Sequence, residues 1–306
     1  MTSVGYAIGV DIGGTTIATI AMDSNYNVIE KVELKSIVTN KETMFSQVTK
    51  SIDYILQKTN TSSDNIKGMG IGVPGKVDKQ NGIAVYQNNL PWRNFPIVDR
   101  LHEHYQIKRI NIDNDVYLAA LSEWKQAQID KRNTFVYITV STGISCSIIE
   151  NGQFIRGDGF AGEIGLFPVF TSREDVEISR LEKIASGPAI ETYAQQQLKD
   201  KNLKTSNVFE KYTQGCQETI TIVNDMVNSI SHGVYSIICL LDPHKIVFGG
   251  GVINHNPFLV KLIKEKLENL IIPQQKKSLK ALTVSHFKDD AGVIGAGMLG
   301  LNHKIY

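Results

Sequence analysis

Tyr6-Ala7-Ile8-Gly9-Val10-Asp11-Ile12-Gly13-Gly14-Thr15-Thr16-Ile17 is the stretch on which the fold turns. An apolar run from Tyr6 to Val10 reaches Asp11, the segment Gly13-Gly14-Thr15-Thr16 interrupts it, and Ile17 to Met22 is apolar again. That alternation reads as strand, tight turn, strand. The two glycines have no Cβ, so backbone N–H groups in the turn can approach an anion, and Thr15 and Thr16 add hydroxyl donors. Gly-Gly alone also suits an ordinary tight turn. Asp11 shifts the balance, because a carboxylate beside a phosphate nest repels the ligand unless a cation such as Mg²⁺ lies between them. The pattern is neither a Walker A loop nor a GxGxxG fingerprint.

The neighbouring segments extend the same plan. A third strand is predicted over Val28 to Leu34, and Met44, Phe45, Val48, Ile52, Ile55 and Leu56 fall at helical spacing. Ile66 to Val73 reads as a buried strand running into Pro74-Gly75, Arg109 to Ile112 as another strand, and Asp115 as the start of a helix. The grammar then restarts. Thr134 to Val140 is apolar and β-branched, Ser141-Thr142-Gly143 is a turn, and a strand resumes at Ile148-Ile149 before the hairpin signal Asn151-Gly152. Helices are predicted at Glu182 to Leu198, Glu218 to Leu241, Pro257 to Leu270 and from Ala291, with strands at Lys245 to Phe248 and near Leu282 to Ser285. Strand-turn-strand followed by alternating helices and strands, written twice, points to an α/β protein of two similar lobes with a cleft between them.

Composition narrows the function classes. The chain has 306 residues, 42% of them hydrophobic and 21% charged, which is the make-up of an ordered globular protein of one large or two medium domains. Thirty-two Lys and Arg against 31 Asp and Glu argue against a broad nucleic-acid footprint or an anionic-membrane anchor and favour a small-molecule partner. No apolar run approaches the roughly 20 residues that span a bilayer, and the start lacks a secretory signal, so a cytoplasmic location is expected. Cys146, Cys216 and Cys239 lie far apart without metal-ligand spacing and read as small apolar side chains. The seven histidines show no such spacing either.

Three further segments could carry chemistry. Asn111-Ile112-Asp113-Asn114-Asp115 crowds carboxylates and amides at a strand-to-helix junction. Asp113 or Asn114 can simply cap the helix. Asp115 stands where a strand end would present it to a cleft, and a carboxylate there can accept a proton from a hydroxyl nucleophile during phosphoryl transfer. Gly249-Gly250-Gly251 follows a strand directly and would let a flat ligand approach the backbone. Glu163 and Glu182 are acidic residues beside glycine-rich backbone and, taken singly, read as solvated loop charges.

In this order the segments resemble the ROK family of sugar kinases and related repressors, whose fold is the two-lobed α/β actin-like ATPase (ribonuclease H-like) fold with a central cleft. The resemblance rests on DIGGTT at Asp11 to Thr16, GVPGKVD at Gly72 to Asp78, NNLPW at Asn88 to Trp92, NIDNDVYLAA at Asn111 to Ala120, GFAGEIG at Gly159 to Gly165, LEKIASG at Leu181 to Gly187, DPHKIVFGGGV at Asp242 to Val252 and DAGVIGA at Asp290 to Ala296. Any one motif is weak and the ordered set is strong. The resemblance implies that Asp115 deprotonates a sugar hydroxyl while Asn114, Asn89, Glu163, Glu182 and the Gly75 loop hold the ring. It also implies that Asp11, Gly13, Gly14, Thr15 and Thr16, with Thr142 and Gly143, clasp ATP phosphates and Mg²⁺, with Asp11 nearest the metal. Gly249, Gly250 and Gly251 would border the nucleoside.

An N-terminal lobe, 1–115 joined by a C-terminal helix at 290–306, and a C-terminal lobe, 116–289, are expected, as are lobe closure over the sugar and a homodimer. Two departures stand out. Leu166 takes the place of the family's zinc-binding His, and Phe167 to Arg180 contains no cysteine, so zinc is not expected. STGISCS at Ser141 to Ser147 replaces four glycines of the usual GTGIGGG, which either narrows the γ-phosphate space or reflects a differently packed strand. The expected activity is ATP-dependent phosphorylation of a hexose or N-acylhexosamine, of the glucose or N-acetylmannosamine class, at the 6-hydroxyl. The alternatives are a β-glucoside kinase, a sugar-binding regulator, or a sugar-binding protein with impaired catalysis. About ten residues precede DIGGTT, too few for a helix-turn-helix, so DNA binding is not expected.

Overall fold

A computed structural model of the chain describes residues 5–87, 89–171 and 177–301. Its internal contacts divide it into two units, 1–127 with 290–306, and 128–289. In the first, β1 (Ala7–Ile12) and β2 (Thr16–Met22) form the opening hairpin, with Ile12 opposite Ile17, and β3 (Val28–Lys35) extends the sheet beyond β2. Helix α1 (Lys41–Lys58) starts at Asn40, whose side-chain oxygen accepts from the Glu42 and Thr43 amides, and buries Met44, Phe45, Val48, Ile52 and Ile55 along one face. β4 (Gly68–Val73) then lies parallel to β1. A small antiparallel sheet of β5 (Lys76–Asp78), β6 (Ile83–Tyr86) and β7 (Arg93–Phe95), and helix α2 (Ile97–Tyr105), precede β8 (Ile110–Asn114), which is parallel to β4. The sheet order is β3-β2-β1-β4-β8, and α3 (Asp115–Ala127) leaves the end of β8 without a linking loop.

The second unit repeats that order. β9 (Phe135–Val140) and β10 (Ile144–Glu150) form a hairpin, β11 (Gln153–Ile155) follows across Asn151 and Gly152 with φ of 52° and 74°, and β14 (Lys245–Gly249) and β15 (Leu282–Val284) lie parallel on the other side of β9. Both turn residues are left-handed, as a two-residue hairpin turn with Asn-Gly requires. The order is β11-β10-β9-β14-β15. β12 (Pro168–Phe170) pairs antiparallel with β13 (Ile178–Arg180), and among the described residues seven helices complete the unit: α4 (Leu181–Ala185), α5 (Gly187–Gln197), α6 (Thr205–Thr213), α7 (Gln217–Leu241), α8 (Gly251–His255), α9 (Phe258–Leu267) and α10 (Lys276–Ala281).

Helix α11 (Ala291–Leu301) returns to the first unit. It is apolar all round and buried from Ala291 to Gly300, which marks a core helix. Glycines let it lie directly on the sheet, since a Cβ at Gly9 would sit 2.4 Å from the Gly297 amide and one at Gly70 would sit 2.0 Å from the Ala296 carbonyl.

Several expectations change. The division falls after 127 rather than after 115, because α3 is bound to α11: Ser122 Oγ donates to the Ala291 carbonyl at 2.8 Å, and Gly295 lies against the Leu118 carbonyl. The single helix expected over Glu182 to Leu198 is two, because Ser186 caps a new helix at the Ala189 amide and Pro188 suits its first turn. The strands β5 to β7 and helices α2 and α6 are not foreseen by periodicity, being three to four or nine residues long. Asn88 of the NNLPW motif and residues 302–306 of the expected last helix lie outside the described residues.

Candidate active site

The first unit gathers its polar groups at the carboxyl ends of three neighbouring parallel strands, the place where open α/β sheets present ligand-binding side chains. Asp11 on β1 is in register with Gly72 on β4, and Gly72 with Asp113 on β8. The Asp11 carboxylate occupies the space that two missing side chains leave: a Cβ at Gly292 would lie 2.3 Å from Oδ2, and one at Gly72 3.0 Å from Oδ1. Burial first, and then the negative charge of Asp115, push the Asp11 pKa up to about 7 against the pull of the Ile12 backbone hydrogen bond.

The Asp115 charge raises the proton affinity of Asp11, and hard carboxylate oxygens of this kind suit Mg²⁺, which takes one or two carboxylates and completes its shell with water and phosphate. Among the described residues no three His, Cys, Asp or Glu side chains form a metal-binding group, so a cation here would rely on such outside ligands.

Asp115 is the first residue of α3, where the helix dipole favours its charge, and its Oδ1 accepts from the Val116 amide at 2.9 Å. Asn114 joins two pieces of backbone. Its Oδ1 accepts from Val116 at 2.9 Å, and its Nδ2 donates to the Gly75 carbonyl at 3.0 Å. Gly75 itself has φ of 77° and no room for a Cβ, which would lie 2.3 Å from the Tyr86 carbonyl. The Gly13 amide donates to the Thr16 carbonyl, Ser36 Oγ donates to the Gly13 carbonyl, and Thr15 and Thr16 are exposed. Asn89, also exposed, lies against the same turn: a Cβ at Gly14 would be 2.8 Å from Asn89 Cβ. Asp11 to Thr16, Gly75, Asn89, Asn114 and Asp115 are therefore one constellation.

Sequence reasoning missed Lys79 within it. Asp113 is 3% exposed, accepts from the Asn114 amide through Oδ1 and pairs with Lys79 Nζ at 2.9 Å through Oδ2. Lys79 thus fixes the strand end from which Asp115 projects. A lysine beside a turn carries no one-dimensional signal of that partner.

In the second unit Thr142 and Gly143 lie in the β9–β10 turn, and Glu182, on the first turn of α4, reaches it: the Ile144 amide donates to Glu182 Oε2 at 2.9 Å. Glu163 precedes a short turn that the Cys146 amide ties to β10 by donating to the Gly162 carbonyl at 2.7 Å. Partial burial of its carboxyl group, and second the Glu182 carboxylate, raise the Glu163 pKa although the residue as a whole is exposed. Leu166 is 51% exposed. Of the four replaced glycines, Ser145, Cys146 and Ser147 are strand residues of β10, and the last two are buried. Burial pushes the Cys146 thiol up to about 12, so it behaves as an inert core group.

A cavity of about 820 Å³ opens beside this hairpin. Ser141 and Thr142 form one wall, Gly187 and Pro188 of α5 another, Gly251, Val252 and His255 of α8 a third, and Thr205 and Phe209 of α6 face Phe258 of α9. Glu191 braces the α6 wall by accepting from the Thr205 amide at 2.9 Å. The glycine run divides in its surroundings. Gly251 lines the cavity, whereas Gly249 and Gly250 make room for the protein itself, with a Cβ at the first lying 2.1 Å from Tyr137 Oη and at the second 2.6 Å from Thr139 Oγ1. The α6 residues carry no signal of this role in the sequence, because a nine-residue helix offers few turns of apolar spacing and Phe209 and Phe258 look like any core aromatic.

The chain is 31% identical over 315 residues to a glucokinase of Halalkalibacterium halodurans, covering 95% of this chain and 94% of that one. It is 28% identical over 314 residues to a xylose repressor of Caldicellulosiruptor bescii, covering 95% of this chain and 77% of the repressor. A ROK family glucokinase from Streptomyces griseus, solved in complex with glucose and AMPPNP, superposes with a TM-score of 0.80 at 22% identity over 97% of this chain and 99% of that one, a likeness that shows the actin-like ATPase fold. A model of the ROK family matches residues 7–303, and the chain belongs to that family.

Proposed function

We propose that this protein is an ATP-dependent sugar kinase that transfers the γ-phosphoryl group to the 6-hydroxyl of a hexose or N-acylhexosamine, with Asp115 as general base. The observation that carries the reading is the pairing of Asp11, at the end of β1, with Asp115, just past the end of β8 on the other side of β4, tied by Asn114 to the Gly75 loop and flanked by the Gly13-Gly14 turn. The glucokinase relative and the glucose and AMPPNP complex support the substrate classes.

In this reading Asp115 accepts the hydroxyl proton as the sugar oxygen forms its bond to the γ-phosphorus and the bond to the bridging β–γ oxygen breaks, leaving ADP and a sugar phosphate. Asn89, Asn114, Glu163, Glu182 and the Gly75 loop hold the ring hydroxyls so that one oxygen is aimed at the phosphorus, and orientation of this kind supplies much of the acceleration. Gly13, Gly14, Thr15, Thr16, Thr142 and Gly143 bind the phosphates, and the 820 Å³ cavity takes the nucleoside. Asp11 would hold Mg²⁺, which when bound neutralises charge on the transferring phosphoryl group.

A coupled assay of ADP release with glucose, N-acetylmannosamine and β-glucosides tests the proposal. At least one sugar is expected to drive ADP formation, and none doing so sinks it. The similarity to a xylose repressor favours a second reading, a sugar-binding regulator. Calorimetric binding of a sugar without ADP release in its presence would support that reading instead.

A further inference from the structure

We infer that Glu182 is a positioning residue for the phosphoryl donor: it holds the β9–β10 turn in the shape that forms one wall of the nucleotide cavity. The inference rests on reading that cavity as the nucleotide site. Its observations lie within the second unit.

The turn is three residues, Ser141-Thr142-Gly143, between the paired Val140 and Ile144. Ser141 and Thr142 line the 820 Å³ cavity, so the wall moves with the turn. Two contacts hold it from outside its own hairpin. The Ser141 carbonyl accepts from the Gly187 amide at 2.8 Å, and the Ile144 amide donates to Glu182 Oε2 at 2.9 Å. The second contact is made by a charged acceptor across 38 positions of sequence, and a hydrogen bond of this kind outweighs a neutral one.

The surroundings are shaped to admit that carboxylate. A Cβ at Gly143 would lie 2.7 Å from Glu182 Oε2, and one at Gly165 would lie 3.3 Å from the same oxygen. Both glycines therefore leave the space that Glu182 uses. Glu182 and Thr142 also share the lining of a smaller cavity of about 460 Å³, so the carboxylate is accessible to solvent and ligand while it holds the turn. One oxygen is engaged by Ile144, and an acceptor hydroxyl would use the other. A residue that the family resemblance assigns to the sugar thus also governs the donor side.

The test is binding of a non-hydrolysable ATP analogue, measured by calorimetry without sugar. Glu182→Ala is expected to weaken binding about tenfold, the size of one lost charge-assisted hydrogen bond. Glu182→Gln keeps an oxygen acceptor for the Ile144 amide and is expected to stay within about threefold of the parent. Gly143→Ala reaches the same contact from the opposite side. Its new methyl group collides only with the flexible end of Glu182, so the fold is retained while the carboxylate is displaced, and binding is expected to weaken by about as much as in Glu182→Ala.

Because both changes remove one interaction, the double variant is expected to be no worse than either single one. Losses that simply add in the double variant would overturn the inference, and where Glu182→Ala fails to fold, full nucleotide affinity in Gly143→Ala overturns it alone. A parent protein that binds the nucleotide but phosphorylates no sugar would remove the kinase reading and leave this one standing. Failure to bind nucleotide at all would remove both.

Discussion

The two units lay out the same five strands in the same order, and they use one corresponding position for opposite purposes. Asp11 faces Gly72 across the β1–β4 pair, and Thr139 faces Gly249 across the β9–β14 pair. In the first unit the glycine opposite makes room for a carboxylate, and in the second it makes room for the Tyr137 ring. The first hairpin is therefore surrounded by charge, with Asp11, Asp113, Asp115 and Lys79 at neighbouring strand ends. The second is surrounded by shape, with a cavity, a braced turn and one carboxylate holding it. Topology decides where a functional group can stand; residue identity decides whether that place handles protons and cations or the outline of a ligand.

If the charge work belongs to the first unit, Asp115→Asn has the largest effect. Turnover is expected to fall about a thousandfold, the scale of a lost general base, while analogue binding in the second unit stays unchanged by calorimetry. Equal loss of both would erase the distinction between the units.

Asp11→Asn comes next and acts on stability as well as activity. The pKa of Asp11 is raised from 3.8 to about 7 in the folded state, so the native protein keeps a proton that the unfolded chain has lost. The stabilisation is full below about pH 4 and disappears as pH rises through about 7. Above that, ionised Asp11 costs up to about 4 kcal/mol. Asp11→Asn should lower turnover by less than Asp115→Asn does, and be more stable than the parent in urea at pH 8 and less steeply dependent on pH between 5 and 8. An unchanged pH slope would mean that the pair is relieved in some other way.

Lys79→Met is expected to cost about 2 kcal/mol, because it strands the nearly buried Asp113 carboxylate, with the partial exposure of Lys79 reducing the larger loss of a fully buried pair. The double change with Asp113→Asn should recover most of the melting temperature, and failure to recover it would show that Lys79 acts elsewhere. The smallest effect is expected from Ser141→Gly. Ser141 lines the cavity but Thr142 and the Glu182 contact remain, so analogue affinity should change by less than about threefold. A large gain would show that the serine obstructs the nucleotide.

Much of this contrast is legible before any coordinates. The hairpin at Asp11 to Thr16, the strand ending at Gly75, the junction at Asp115 and the repetition of the plan from Thr134 all follow from apolar alternation and turn residues, which are local properties. The hidden parts are those in which partners lie far apart along the chain. Lys79 and Asp113 are separated by a small sheet and a helix, Glu182 meets Ile144 across 38 positions of sequence, and α6 supplies cavity residues from a helix of only nine residues. The glycine run at 249–251 shows the same boundary: its composition announces close approach, but whether to ligand or to Tyr137 depends on which strand lies alongside.

From its amino acids alone, the chain declares two α/β halves, their turn chemistry and the acidic strand-to-helix junction at Asp115, because backbone preference and side-chain period act over a few neighbours. Tertiary packing alone settles that Asp11 and Asp115 share one field, that Glu182 is bound to the second hairpin, and that α3 belongs with α11 rather than with the half that follows it. Electrostatic coupling and burial depend on distance in space, and only the order and register of the strands set those distances.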